Sequence, residues 1–154
     1  TATLVNSEPR FTLKNFSHYT DGSGSDYLIK TISQKNKLVM NGAEVFQWTR
    51  KILGKQILSM LSEIKITKEQ IDNFYLHQAS KLVIENVRRG LSISEEKIPS
   101  SLEITGNLVS SSLPFLIENN YEQFNKNKIF VLSGFGVGLS CSSMIIENTA
   151  NKIL

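Results

Sequence analysis

Cysteine is almost missing: Cys141 is the single one in 154 residues. One thiol forms no internal disulfide and no cysteine-rich metal site, so a reducing, cytoplasmic setting is the expectation. Histidine is scarce too, with only His18 and His77. His18 has no second ligand at metal spacing, so no metal is expected. No apolar run approaches the ~20 residues that span a bilayer, and no membrane association is expected. Residues 1–6 lack a basic segment followed by a long apolar stretch, so no secretory leader is read there. Blocks of like charge are absent as well. The 17 Lys and Arg against 14 Asp and Glu leave a net +3, scattered and without interleaved aromatics. That pattern gives nucleic-acid binding no support.

What remains is ordinary globular material, with 40% hydrophobic and 20% charged residues, enough for one domain over 1–154. The pattern centres on Phe74-Tyr75-Leu76-His77-Gln78-Ala79. Its apolar start reads as a short buried strand with His77 at the carboxyl end, where open α/β sheets collect their chemistry. His77 is a candidate base, acid or hydrogen-bond donor. A structural histidine bonded to backbone fits the position equally well.

Around it, residues 1–7 read as a strand, Pro9 as a breaker, and Phe11, Leu13 and Phe16 as a second strand in a hairpin. Asp21-Gly22-Ser23-Gly24-Ser25-Asp26 reads as a flexible surface loop. After Asn41-Gly42, apolar residues from Val45 to Ile64 recur at helical steps, with Gly54 as a divider or kink and Trp48 as core. Thr67 and Gln70 form a capping box. A helix is expected over 80–89, burying Leu82, Val83 and Val87 and capped by Gly90. Leu102 and Ile104 read as a brief strand, 108–124 as one helix, 128–132 as a strand, and 139–146 as the last strand. The order gives a layered α/β fold with a mixed central sheet and helices on its faces.

Gly134-Phe135-Gly136-Val137-Gly138 is not a dinucleotide loop, because its glycines are too close and a strand follows. It suits a tight turn whose N–H groups face a developing oxyanion. Cys141 with His77 and Asn107 suggests a Cys-His-Asn hydrolase, but Cys141 lies in an apolar strand and reads as a small buried hydrophobe.

Met40-Asn41-Gly42-Ala43-Glu44-Val45-Phe46, His77-Gln78-Ala79, Gly106-Asn107 and Gly134-Phe135-Gly136-Val137-Gly138 stand in one order along the chain. In that order they resemble the C-terminal half of β-ketoacyl-acyl-carrier-protein synthase III, a thiolase-fold condensing enzyme, from about residue 1 to 146. The resemblance implies a thiolase-like C-terminal half. It also implies decarboxylative condensation of an acyl-CoA-derived group with malonyl-acyl-carrier-protein in fatty acid biosynthesis, without a resident cofactor. His77 and Asn107 match the family's catalytic pair, and Phe135, Gly136 and Val137 match its oxyanion and active-site lining. The family's nucleophilic cysteine belongs to an N-terminal half outside this sequence. Cys141 does not match it, and the chain alone is expected to be inactive. The full-length protein is expected to be a homodimer.

Ala43 and Ser80 stand where the family often has asparagine, and Leu82 stands where some members have an arginine for carrier protein. Gln78, Ser80, Lys81, Arg88 and Arg89 are the candidate carrier-protein or CoA contacts, with a solvated helix face as the equal alternative. Two other functions remain open. One is a specialised relative in secondary-metabolite, signal or surface-glycan synthesis. The other is a non-catalytic homologue acting as a binding partner, which a residue other than cysteine at the nucleophile position would favour.

Overall fold

The computed structural model describes residues 10–126 and 129–149. The expected strand over 1–7, its turn at Pro9 and its hairpin lie outside them, as does residue 128. Six strands and five α-helices occur among the described residues. They are β1 (Phe11–Thr20), β2 (Leu28–Lys30), β3 (Leu38–Met40), α1 (Gly42–Glu63), β4 (Asn73–Leu76), α2 (Lys81–Leu91), α3 (Leu102–Thr105), α4 (Ser112–Asn119), α5 (Tyr121–Lys126), β5 (Ile129–Gly136) and β6 (Ser140–Asn148).

The main sheet runs β1-β6-β5-β4. β4 and β5 are parallel, while β5–β6 and β6–β1 are antiparallel. The sheet is therefore mixed, as the pattern of elements predicts. Alternation along the strands divides the core into two layers. Phe74, Val131 and Ile145 face Leu53, Ile57 and Met60 of α1 and Ile84, Val87 and Leu91 of α2. Tyr75 and Phe130 face the other way, onto Leu116 of α4 and Phe124 of α5. β4 is thus covered on both faces, which explains its unbroken apolar sequence.

Asn41 caps α1 by accepting the Glu44 N–H at 3.3 Å. The helix runs 22 residues without dividing at Gly54. A helical glycine costs about 1 kcal/mol. Burying Leu53 and Ile57 on either side returns roughly 1.5–3 kcal/mol each, so the helix continues. α2 likewise passes through Gly90 and ends at Ser92, which is left-handed with φ 52°. Leu91, 2% exposed, draws the last turn into the core. Leu82 is exposed rather than buried, because Val83, Ile84, Val87 and Leu91 take the inward arc. The Thr67–Gln70 capping box is present, with the Thr67 N–H donating to Gln70 at 2.8 Å.

Residues 102–105 form a helical turn, not a strand. Ser101 O accepts the N–H groups of Ile104 and Thr105, both at 3.0 Å, and Gly106 ends the turn at φ 64°, ψ −154°. Residues 108–124 do not make one helix. Pro114 has no N–H to give residue 110, so α4 starts only at Ser112. At Asn120 the side-chain Nδ2 takes Leu116 O at 2.8 Å and the chain breaks before α5. The glycine motif also divides, with Gly134 to Gly136 finishing β5 and only the next residues turning.

The 21–26 segment is not a flexible loop. It is a 3-10 helix, Gly22–Tyr27, in which Gly24 is buried. A Cβ at Gly24 would lie 3.0 Å from the Leu139 side chain, and the Asp21 N–H bonds Leu139 O at 2.8 Å. The segment is thereby tied to the residue after the glycine turn. Trp48 joins Leu139 and Cys141 in a satellite core, as expected for Trp48 and Cys141. β2 and β3 pair antiparallel in a short hairpin that no local sequence signal marks.

Two outcomes are expected. Burial pushes the Cys141 thiol up to about 11, so it should resist iodoacetamide at pH 8 while folded and react on denaturation; fast native labelling would contradict its place in the core. Gly106 occupies a backbone region nearly closed to side chains, and nothing lies within 4 Å of a Cβ there. Gly106→Ala should therefore lose about 1–3 kcal/mol in urea unfolding from backbone strain alone; an unchanged midpoint would contradict this.

Candidate active site

The site is built from the carboxyl end of β4 outward. The His77 N–H donates to Ser133 O at 2.8 Å, carrying the parallel ladder one residue past the strand. The ring meets Phe135 edge-on, with centroids 5.1 Å apart at 79°. His77 is half-buried, and burial holds its pKa below the ordinary 6.5. At neutral pH it is an uncharged imidazole with one N–H to give. Among the described residues its ring carries no hydrogen bond to backbone, unlike a structural histidine.

Asn107 follows Gly106 directly. Its Oδ1 accepts the Val109 N–H at 2.8 Å, so the end it offers outward is the Nδ2 donor. The residue is exposed. No hydrogen bond joins Asn107 to His77 or Phe135 among the described residues. Phe135 packs between the main core and the Trp48 cluster, so its position beside His77 is fixed from behind. Gly136 and Val137 follow it round the hairpin, where Val137 is 66% exposed. Gly138 has φ 145°, and a Cβ there would lie 2.8 Å from the Ser140 backbone nitrogen. Only glycine fits that position, so the turn's shape is set by it. Leu113, Leu132 and Met144 make an apolar floor under Gly134 and Gly136.

The residues leading into α2 and along it divide. Gln78 is fully buried. Its Nε2 donates to Leu76 O at 2.7 Å, and its Oε1 accepts from Ser100 Oγ at 3.0 Å and the Ser101 N–H at 3.1 Å. Gln78 therefore faces inward and does not present itself to a carrier protein or CoA, contrary to the expectation. Ser80 is exposed and caps α2 by accepting the Val83 N–H at 3.3 Å. Lys81 pairs with Glu103 at 3.3 Å, both open to solvent. Arg88 forks onto both oxygens of Glu85 at 2.7 Å, and Arg89 reaches the same carboxylate at 2.5 Å. Hydrogen bonds from Arg88 and then Arg89 pull Glu85 down to about 2.

A buried polar ladder behind the sheet went unread in the sequence. Gln56 Oε1 accepts from Ser143 Oγ at 2.8 Å and Cys141 Sγ at 3.3 Å, and Ser143 Oγ lies 2.7 Å from Ser133 Oγ. Its one sequence signal is a glutamine inside the Leu53–Ile57–Met60 stripe. His18 bonds Ser142 and Thr20 through its two ring nitrogens, and no metal-binding cluster occurs among the described residues. No described helix is long and apolar enough to cross a membrane.

Known proteins resemble this chain in sequence and in fold. The family described as 3-oxoacyl-[acyl-carrier-protein (ACP)] synthase III C terminal matches residues 61–148. A beta-ketoacyl-[acyl-carrier-protein] synthase III from Staphylococcus haemolyticus is 34% identical over 130 residues, which are 83% of this chain and 41% of that protein. A solved 3-oxoacyl-(acyl-carrier-protein) synthase III superposes with TM-score 0.79 at 28% identity, over 95% of this chain and 50% of that one. The corresponding synthase of Aquifex aeolicus, at 19% identity, shares the fold with TM-score 0.84 over 92% of this chain and 46% of its own. The chain spans about two fifths of the length of the curated relatives it matches. With its mixed sheet, its histidine at the end of β4 and its glycine hairpin beside that histidine, the chain belongs to the C-terminal family of 3-oxoacyl-[acyl-carrier-protein] synthase III.

Proposed function

We propose that this chain is the decarboxylating half of a condensing acyltransferase that extends an acyl-CoA-derived group with malonyl-acyl-carrier-protein in fatty acid biosynthesis. The observation that carries the reading is His77: a half-buried imidazole, kept neutral by burial, at the carboxyl end of β4 beside the glycine hairpin. When the malonyl C–C bond to the carboxylate breaks, carbon dioxide leaves and its electron pair becomes an enolate on the thioester. Two neutral donors, His77 and the Asn107 Nδ2, stabilise that oxygen without handing it a proton. An imidazolium would instead protonate the carbanion. The carbanion then attacks an acyl thioester held on a cysteine of a second half, and the thiolate leaves. In the earlier acylation, where the cysteine thiolate attacks the acyl-CoA carbonyl and the CoA thiolate leaves, the Val137 N–H serves as one donor to the oxyanion, with Phe135 and Gly136 lining the approach.

The steps need no resident cofactor. Ser80 at the N-cap of α2 and Lys81, Arg88 and Arg89 along it form the face offered to an acidic carrier protein or CoA, with Glu85 and Glu103 competing for the same cations. A homodimer in the cytoplasm is the setting of this reading.

The test uses a protein joining this domain to its cysteine-bearing half. His77→Ala and Asn107→Ala should each lower malonyl decarboxylation by about 10²–10³-fold while cysteine acylation stays measurable. Full decarboxylation by either variant overturns the assignment.

A further inference from the structure

We infer that Gln78 is the positioning residue that fixes the His77 strand end and the Asn107 turn in one geometry. The inference rests on the functional reading above, since it assigns Gln78 to that site. The peptide unit between Leu76 and His77 is held at both ends. Its carbonyl oxygen accepts from Gln78 Nε2 at 2.7 Å, and its N–H donates to Ser133 O at 2.8 Å. β5 supplies one of these bonds and Gln78 the other. The imidazole therefore leaves a backbone that cannot rotate about its own peptide plane without breaking one of them.

The other end of the same amide holds the second segment. Gln78 Oε1 accepts the Ser101 N–H at 3.1 Å and the Ser100 hydroxyl at 3.0 Å. Ser101 is buried and anchors the turn that delivers Asn107. Its carbonyl accepts the Ile104 and Thr105 N–H groups at 3.0 Å and the Thr105 hydroxyl at 3.1 Å. The Gly106 N–H then closes on Leu102 O at 2.9 Å, and Asn107 follows. α3 has little else to seat it, since only Leu102 turns toward the core while Glu103 and Ile104 are exposed. One buried side chain thus spans from the last residue of β4 to the first anchor of the Asn107 turn.

An amide suits this bridge because it must donate at one end and accept at the other. Methionine, of similar length, does neither. A glutamate carboxylate still accepts from Ser101 but turns a lone pair toward Leu76 O. Only its protonated form donates there.

The test again uses the domain joined to its cysteine-bearing half. In Gln78→Met, decarboxylation should fall by about 10- to 100-fold, the range a misplacement near 1 Å produces, while cysteine acylation by acyl-CoA is unchanged. In Gln78→Glu, decarboxylation should recover as pH is lowered, with no such recovery in Gln78→Met. Ser100→Ala, which removes one donor to Gln78 and the weaker 3.4 Å acceptor of the Leu102 N–H, should show a smaller loss of the same kind. A folded Gln78→Met with full decarboxylation, beside an inactive His77→Ala, overturns the bridge and leaves the functional reading intact. An active His77→Ala overturns the functional reading itself. If Gln78→Met does not fold, Gln78→Glu and Ser100→Ala decide the matter. Loss of acylation and decarboxylation in equal measure, without the pH recovery, means a purely structural amide and overturns the inference.

Discussion

Parallel pairing of β4 with β5 is the constraint on which the site depends. The register sets Phe74 against Val131 and Leu76 against Ser133. Because the strands run the same way, their carboxyl ends emerge at one edge of the sheet. His77 leaves β4 there, and the glycine hairpin leaves β5 there. An antiparallel pair would have placed them at opposite edges. The pairing is itself held by burial, with Phe74 and Val131 pressed on α1 and α2 and Tyr75 and Phe130 pressed on α4 and α5.

Hydrogen bonds then refine what burial holds. Gln56 Oε1 can only accept, so the Ser143 hydroxyl donates to it and the Ser133 hydroxyl must donate to Ser143. Ser133 is thereby bound on its side chain to β6 and on its carbonyl to His77. A register slip of one residue would turn these hydroxyls toward the opposite layer and strand the Gln56 side-chain oxygen, at a cost of about 1–3 kcal/mol for each stranded group. Small residues in β6 thus specify register as well as fitting a crowded sheet. Gln78 does similar work at the sheet's edge.

Much of this was legible in the sequence, and several of the failures share a cause. β4 with His77, the Asn41-led start of α1, the Thr67 box and the buried Cys141 rest on local signals: an apolar run, a cap, a periodicity. Three readings failed where a local signal met a stronger tertiary one. Gly90 looked like a stop, but Leu91 had a core site to fill. Leu102 and Ile104 alternate like a strand, yet Ser101 O gathers their neighbours into a turn. The 21–26 segment is polar and glycine-rich, yet Gly24 packs under Leu139, more than a hundred residues away in sequence. The sequence groups Gln78 with Ser80 and Lys81 as a candidate carrier-protein or CoA contact, and only those two are exposed. The inward direction of Gln78 follows from partners at residues 100 and 101, which no local pattern reveals.

The fold presents His77 as a neutral donor, and a titration of its ring tests this most directly. Nitrogen-detected NMR of the labelled chain should show one neutral tautomer at pH 7 and a midpoint below 6.5, the ordinary value from which burial lowers it. The folded state then binds this proton less tightly than the unfolded state. Its contribution to stability is therefore full above the ordinary value and lost as pH falls through the lowered one. A midpoint at or above 6.5, with imidazolium persisting toward neutral pH, would contradict the account.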